Sequence, residues 1–404
     1  MVDVREPVEF DPMSNTYFDN PYETYRRLRD EAPVYYNEKY GFYALSRYED
    51  VVKAHRSTDS ISSTYGVEFF DLMKRTQHPE ELRSVITMDP PMHDRVRALA
   101  SKAFSPRAVA ALEPMVTEVI SGFLDQHRGR REFDLVEEFS SLFPVEVISR
   151  MLGIPEGERQ EVRHRLDRAL SRVEGQTGLS EENEAAFGES FMYFLELTQE
   201  RRKRLGDDMI SALIQAEVER EDGSVTKLED QEIAGFAGLV GAAGAETVIK
   251  LIGNAGVLFG RHQDSWHRVV ANRDLVPGAL EEVLRYYPPS QIQGRFAAQD
   301  VTFSGTTIPA GNPVLLLTGA ATRDDREFPN PDEFDIDRPP TVGLFFGHGV
   351  HFCLGAALAR LEGKVTLNLL ADRYPSFSVD ESRAERVQMS NVAGYAKLPF
   401  ITTE

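Results

Sequence analysis

The chain has 404 residues, 41% of them hydrophobic, a formal net charge of −20 and a single cysteine. One cysteine excludes an internal disulfide framework and any zinc site built from several thiolates, and the acidic balance disfavours nucleic acid as a partner, since phosphate contacts need clustered cations. The first thirty residues show neither a basic start nor an apolar run of signal-peptide length, and no segment reads as the roughly 20 apolar residues of a membrane span, so a soluble, cytoplasmic protein is expected.

In chain order, VYYNEKYGFYALS has two aromatic-rich runs around a charged turn and predicts a β-hairpin. From Arg47 the pattern turns helical: RYEDVVKAHR, HDRVRALASKAF, AVAALEPMVTEVISGFLDQH and PVEVISRMLG carry apolar residues at three- and four-residue spacing. Residues 173–190 are polar, acidic and punctuated by glycine, and read as a mobile connection between helices. Asp230 to about Phe259 reads as one long helix whose uncharged stretch, Ile233 to Ala245, is too short for a bilayer and suits the interior of a protein. Short strands are expected in DVTFSGTTIPAGNPVLLLTGAA, followed by the proline-rich, aperiodic FPNPDEFDIDRPP. No repeat or linker divides the chain. The expectation is a mainly α protein with a minor β part, forming one domain over residues 1–404.

The lone Cys353 stands in FGHGVHFCLGAALARLE, with glycines at 347, 349 and 355 and a helix predicted directly after the sulfur. Glycines permit tight turns and close backbone approach, and the N–H groups of a helix start favour a thiolate. A redox thiol would want a second cysteine, which the chain lacks. Three readings of the residues stay open: a buried structural cysteine, a small transition-metal site of His348, His351 and Cys353, or an axial thiolate on haem iron.

Phe346, Gly349, Cys353 and Gly355 match F-x-x-G-x-x-x-C-x-G, and in this the chain resembles the cytochrome P450 family. Glu282 and Arg285 in EEVLR resemble that family's E-x-x-R pair, and Arg338 in FDIDR its third member. The resemblance extends over nearly the whole chain. It implies a long central helix over haem b (iron protoporphyrin IX), a cysteine-ligand loop before a late helix, and Cys353 as the ligand, flanked by Phe346, Gly347 and Gly355. It further implies that His93, Arg97, Arg295 and His351 contact the haem propionates, and that Ala243 and Gly244 lie beside the haem. Thr247 and Glu246 are the acid–alcohol pair expected to order water and relay protons during oxygen activation. Val85, Ile86, Phe236, Leu239, Val240, Ala243, Ile292 and the Asn391–Val392 turn are expected to line an apolar substrate pocket.

The implied activity is a monooxygenase hydroxylating or epoxidising a medium-sized terpenoid, steroid, fatty acid or polyketide. Electrons would come from a separate ferredoxin and its reductase, because no length remains for a fused redox domain. Arg95, Lys102, Arg107, Arg360 and Lys364 suggest a local basic face that could steer an acidic ferredoxin. The alternatives are a peroxygenase driven by hydrogen peroxide and a non-catalytic haem sensor or carrier.

Overall fold

A computed structural model describes residues 6–79, 83–101, 103–170, 180–219, 223–339, 343–389 and 391–402. Its centre is the helix Asp230–Arg261, opened by a capping box in which the Glu232 carboxylate accepts the Glu229 N–H at 2.7 Å. From Val248 to Phe259 every residue of this helix is buried. By length and composition alone the helix could cross a membrane, with a mean hydropathy of 1.4 over its best 18 residues, which corrects the expectation that no segment qualifies. The reason is that neutral residues continue beyond Ala245, interrupted only by Glu246 and Lys250, and these form an ion pair. Protein surrounds the helix: Phe143–Leu152 and Glu181–Lys203 pack along it, and its apolar side chains form the spine of the principal core, which reaches from Val85 to Phe400. At Gly256 the packing is so close that a Cβ would meet the Leu135 side chain, which would have to shift to admit it.

The strands gather into a five-stranded sheet in the order Val34–Asn37, Phe42–Leu45, Pro313–Leu316, Gln293–Ala297, Ile61–Ser62. The first two form the predicted antiparallel hairpin, with Tyr35 opposite Ala44. Alternation along the strands splits the packing between two cores. Leu315, Ala44 and Phe296 face Phe10, Tyr25 and Leu28, while Val314, Leu316 and Ala297 face Val51, Ile308 and Leu344. The second hairpin, Val301–Phe303 with Thr306–Ile308, lies where the sequence pattern puts strands, and Tyr395–Lys397 and Pro399–Thr402 add two more near the end of the chain.

Two expectations are corrected. The segment AVAALEPMVTEVISGFLDQH is two helices, Pro106–Ala110 and Glu113–Asp125, because Pro114 lacks an N–H and starts a helix more readily than it continues one. The second half of the supposed mobile connection is helical from Glu181. Ser180 and Asn183 cap that helix reciprocally, and Glu181, Glu182 and Glu184 complement its dipole. The acidic composition that suggested a loop is the signature of a helix start. Residues 173–179 lie outside the described residues.

Candidate functional site

The cysteine loop is built from two tight turns, Leu344–Phe346 and Gly349–His351, closed when the Cys353 N–H donates to the Phe346 carbonyl at 2.8 Å. Gly347 and Gly349 have φ of +71° and +67°. A Cβ on Gly349 would also stand 2.5 Å from the His55 carbonyl oxygen. Left-handed strain and this backbone clash together predict that Gly349→Ala lowers stability by about 2–5 kcal/mol. Urea denaturation would show this against Gly157→Ala, where nothing lies within 4 Å. A midpoint as unaffected as the control's would refute the close approach.

The helix Ala356–Arg373 starts three residues after the sulfur, as expected. The thiol itself differs from expectation. Cys353 keeps accessible surface, although many protein atoms stand close to its sulfur. Burial pushes its pKa up, against the pull of the Gly355 N–H and the guanidinium groups of Arg97 and Arg360. Desolvation of the anion outweighs the favourable helix start.

Cations collect beside the loop. Arg97 donates to the Phe352 carbonyl, and burial lowers its pKa while the Cys353 side chain pulls it upward. His93 is fully buried; its Nδ1 lies 2.8 Å from Asp94 Oδ1, and its Nε2 has no partner. The His93 and His351 rings are 4.3 Å apart between centroids. Burial pushes the His351 pKa down to about 2, helped by Arg295, His93, Arg97 and His55. Arg295 is wholly enclosed, donates to the Gly294 carbonyl at 2.7 Å, and is pushed down to about 10 by burial, against the pull of Asp89. Among the described residues neither Arg97 nor Arg295 forms an ion pair with a carboxylate. Enclosed cations without carboxylates suit a ligand that brings its own negative charge.

His55 belongs to this group and was missed by the sequence reading. Both its ring nitrogens are buried without a partner, and it lies under Gly347. Its place at the end of the helix Tyr48–Arg56 gives no sequence signal; only the tertiary contact with the loop reveals it. By contrast the trio His348, His351 and Cys353 is not a metal site. His348 Nδ1 accepts the Gly349 N–H and its Nε2 faces Arg56 at 3.0 Å, and among the described residues no cluster of three or more His, Cys, Asp or Glu could hold a metal ion.

On the long helix, Thr247 donates its hydroxyl to the Ala243 carbonyl at 3.1 Å, the back-bond common for a helical threonine. Glu246 is held by Lys250 at 2.9 Å, with both side chains largely buried. Lys250 was not anticipated. A Cβ on Gly244 would meet Ile148 at 3.3 Å, so this glycine lets the helices Asp230–Arg261 and Phe143–Leu152 pack closely. Val85, Phe236 and Val240 join the principal core, with Leu239 packed against it, while Ile86 and Ala243 remain accessible. Ile292 packs with Phe10 and Leu315 in the second core. Val392 is buried and bridges to Ser290, and the Asn391 carbonyl accepts the Gln291 N–H at 2.8 Å.

Glu282, Arg285 and Arg338 do meet. Glu282 binds Arg285 at 2.7 Å and Arg338 at 3.1 Å, and accepts the Asp335 N–H. The two guanidinium groups also donate to carbonyls of Thr322, Pro329, Asn330, Pro331 and Glu333, fastening the proline-rich segment. The expected basic face is largely neutralised: Arg360 pairs with Glu281 at 2.6 Å and Lys364 with Glu113 at 3.2 Å. Arg107 is exposed, Arg95 is half-buried with a buried Nη1, and Lys102 lies outside the described residues. These acids lie far away in sequence, which is why the pairs could not be read there. A cavity of about 460 Å³ lies here, lined by Val109, Leu280, Phe345 and Leu361 among others.

Comparison with known proteins decides the family. The cytochrome P450 profile matches residues 254–399. A putative cytochrome P450 123 of Mycobacterium tuberculosis is 41% identical over 391 residues, 96% of each chain. The chain belongs to the cytochrome P450 family. This P450 is also 36% identical to a vitamin D(3) 25-hydroxylase of Pseudonocardia autotrophica, over 97% of its own length and 96% of the relative's. It superposes on CYP109E1 of Bacillus megaterium, solved in complex with corticosterone, with a TM-score of 0.83 at 34% identity, covering 95% of this chain and 98% of that one. As a P450 it is a monooxygenase, and its family uses haem. The residues present fit that group: the Cys353 thiol in a glycine loop, an unpartnered buried His93 Nε2, and Arg97 and Arg295, which form no ion pair among the described residues.

Proposed function

We propose that the protein is a haem b monooxygenase that adds one oxygen atom from O2 to an apolar, medium-sized substrate, working as one domain in the cytoplasm. Cys353 would hold the haem iron through its thiolate, and His93, Arg97, Arg295 and His351 would hold the propionates. One observation carries this reading: four cationic or hydrogen-bonding side chains, from separate parts of the chain, gather beside the lone cysteine without a carboxylate to match Arg97 or Arg295. Bound haem with thiolate ligation supplies the oxygen activation, in which one oxygen atom goes to substrate and the other leaves as water after two electrons and two protons are taken up.

The chain's own residues then have defined tasks. The Thr247 hydroxyl, donating to Ala243, keeps its lone pairs free to accept from a water molecule and so orders it. Glu246 supplies protons toward that water, with Lys250 holding its carboxylate in place. Ile86 and Ala243 offer accessible apolar surface to the substrate, backed by Val85, Phe236, Leu239 and Val240. The printed substrates of the relatives, vitamin D(3) and corticosterone, favour the steroid class among apolar molecules. A separate ferredoxin and its reductase deliver electrons. Since Arg360 and Lys364 are paired, Arg107 and Arg95 are, among the described residues of that face, the cations that remain for an acidic partner.

Thr247→Ala tests the reading. Affinity for substrate should barely change, because the hydroxyl serves a later step, while consumed electrons should leave as hydrogen peroxide instead of oxygenated product. Turnover of a bound steroid, with product and peroxide counted per electron pair, measures this. An unaltered product yield per electron pair in the variant would show that another donor delivers the protons, and the roles given to Thr247 and Glu246 would fail.

A further inference from the structure

Ser63 and Asp89 play no part in the site so far, yet their hydrogen bonds lead straight to His351. The segment Ser62–Thr64 is buried. Asp89 Oδ1 accepts the Ser63 N–H at 2.9 Å, and Oδ2 accepts the Ser62 hydroxyl at 2.6 Å. Ser62 Oγ, having donated to the carboxylate, receives the Thr64 hydroxyl at 2.8 Å, and Thr64 receives the Gln77 amide at 3.1 Å. Every proton in this chain points toward Asp89, so the directions are fixed. The Asp89 carbonyl also accepts the His93 N–H at 3.0 Å, so one residue anchors both the Ser62–Thr64 segment and the helix that carries His93.

Ser63 Oγ lies 3.2 Å from His351 Nε2, its only hydrogen-bond partner among the described residues. A buried hydroxyl proton needs an acceptor. The ring nitrogen is the acceptor that the geometry offers it, an arrangement that leaves Nε2 without a proton.

We propose that Ser63, held by Asp89, is a positioning residue that fixes His351 as the tautomer with Nε2 unprotonated and the ring proton on Nδ1. Resting on the function proposed above, this leaves Nδ1–H as the donor for a haem carboxylate. A ring of the opposite tautomer would present a lone pair to an anion and repel it.

The test uses haem-loaded protein with 15N-labelled histidine, reduced and carbon monoxide-bound so that it is diamagnetic. His351 signals are assigned by their loss in His351→Gln. In the parent, Nε2 should show the shift of a bare nitrogen and Nδ1 that of a protonated one. Ser63→Ala should move His351 toward the Nε2–H tautomer and speed haem transfer to apomyoglobin about 10-fold. Ser63→Thr, which keeps the hydroxyl, should restore both readouts. Asp89→Asn, which loosens the segment, should give a mixture of tautomers. A protonated Nε2 in the parent overturns the proposal, as does a parent-like tautomer in Ser63→Ala, even if that variant melts earlier. The carbon monoxide band reports thiolate ligation separately, so failure of the haem assignment would be seen there and not mistaken for failure of the tautomer.

Discussion

Replacing Cys353 with histidine is expected to move the carbon monoxide band of the reduced protein from the thiolate position to that of imidazole ligation, and to reduce oxygenation to background. The loop should survive the change, because its closing bond is made by the backbone: the residue 353 N–H donates to the Phe346 carbonyl, and the turns depend on Gly347 and Gly349. What changes is the ligand's charge. The parent site stabilises an anion through the Gly355 N–H and the guanidinium groups of Arg97 and Arg360, against a burial cost that raises the thiol pKa. Imidazole takes no advantage of those positive groups and donates less electron density, the property on which oxygen cleavage depends. A spectrum unchanged in the histidine variant would show that another residue is the ligand.

The largest loss of stability is expected from Glu282→Gln. Glu282 and Arg285 are nearly inaccessible, and the carboxylate is the one acid that meets both Arg285 and Arg338. An amide in its place leaves two enclosed cations facing a neutral group, and breaking a buried pair from one side costs about 3–5 kcal/mol. That is a large part of the roughly 5–15 kcal/mol available to a folded domain. The damage should spread to the segment Pro329–Asp335, whose carbonyls the two arginines hold. Urea unfolding followed by the haem band and by far-ultraviolet circular dichroism should show an earlier midpoint, with haem lost first. Asp337→Asn breaks the exposed Arg268–Asp337 pair and is the matched control, whose midpoint should stay with the parent's. Equal midpoints for the two variants would mean that the buried network is not a stabilising element.

What could be read from the sequence was local. The hairpin at Val34–Leu45, the long helix and the cysteine loop all carry their signals within about a dozen residues, as alternation, apolar continuity or glycine spacing. His93 and Arg97, named through the family resemblance, both lie beside the cysteine loop. The misses have a common cause. Lys250, His55 and the acids Glu113 and Glu281 act through partners elsewhere in the chain or one helical turn away, where no motif marks them. The start at Glu181 was obscured because helix-capping acids and loop-forming acids look alike in composition.

The five-stranded sheet sets a constraint on biosynthesis. Its second strand, Phe42–Leu45, pairs in parallel with Pro313–Leu316, and Ile61–Ser62 pairs with Phe296 and Ala297. Other early residues also find their partners late: Asp50 accepts from Ser304, the Tyr48 N–H donates to Asp324, and Arg29 donates to the Ala320 carbonyl. At about 5–20 residues per second, a ribosome takes on the order of 10–50 s to make the intervening chain. During that interval the aromatic hairpin Val34–Leu45 has an unpaired edge and an uncovered apolar face, the combination that invites strand pairing between nascent chains. Productive synthesis therefore depends on shielding the first hundred residues until the last third of the protein emerges. Slowing translation upstream of Gln293 should lower the yield of native protein more than slowing it after Leu316.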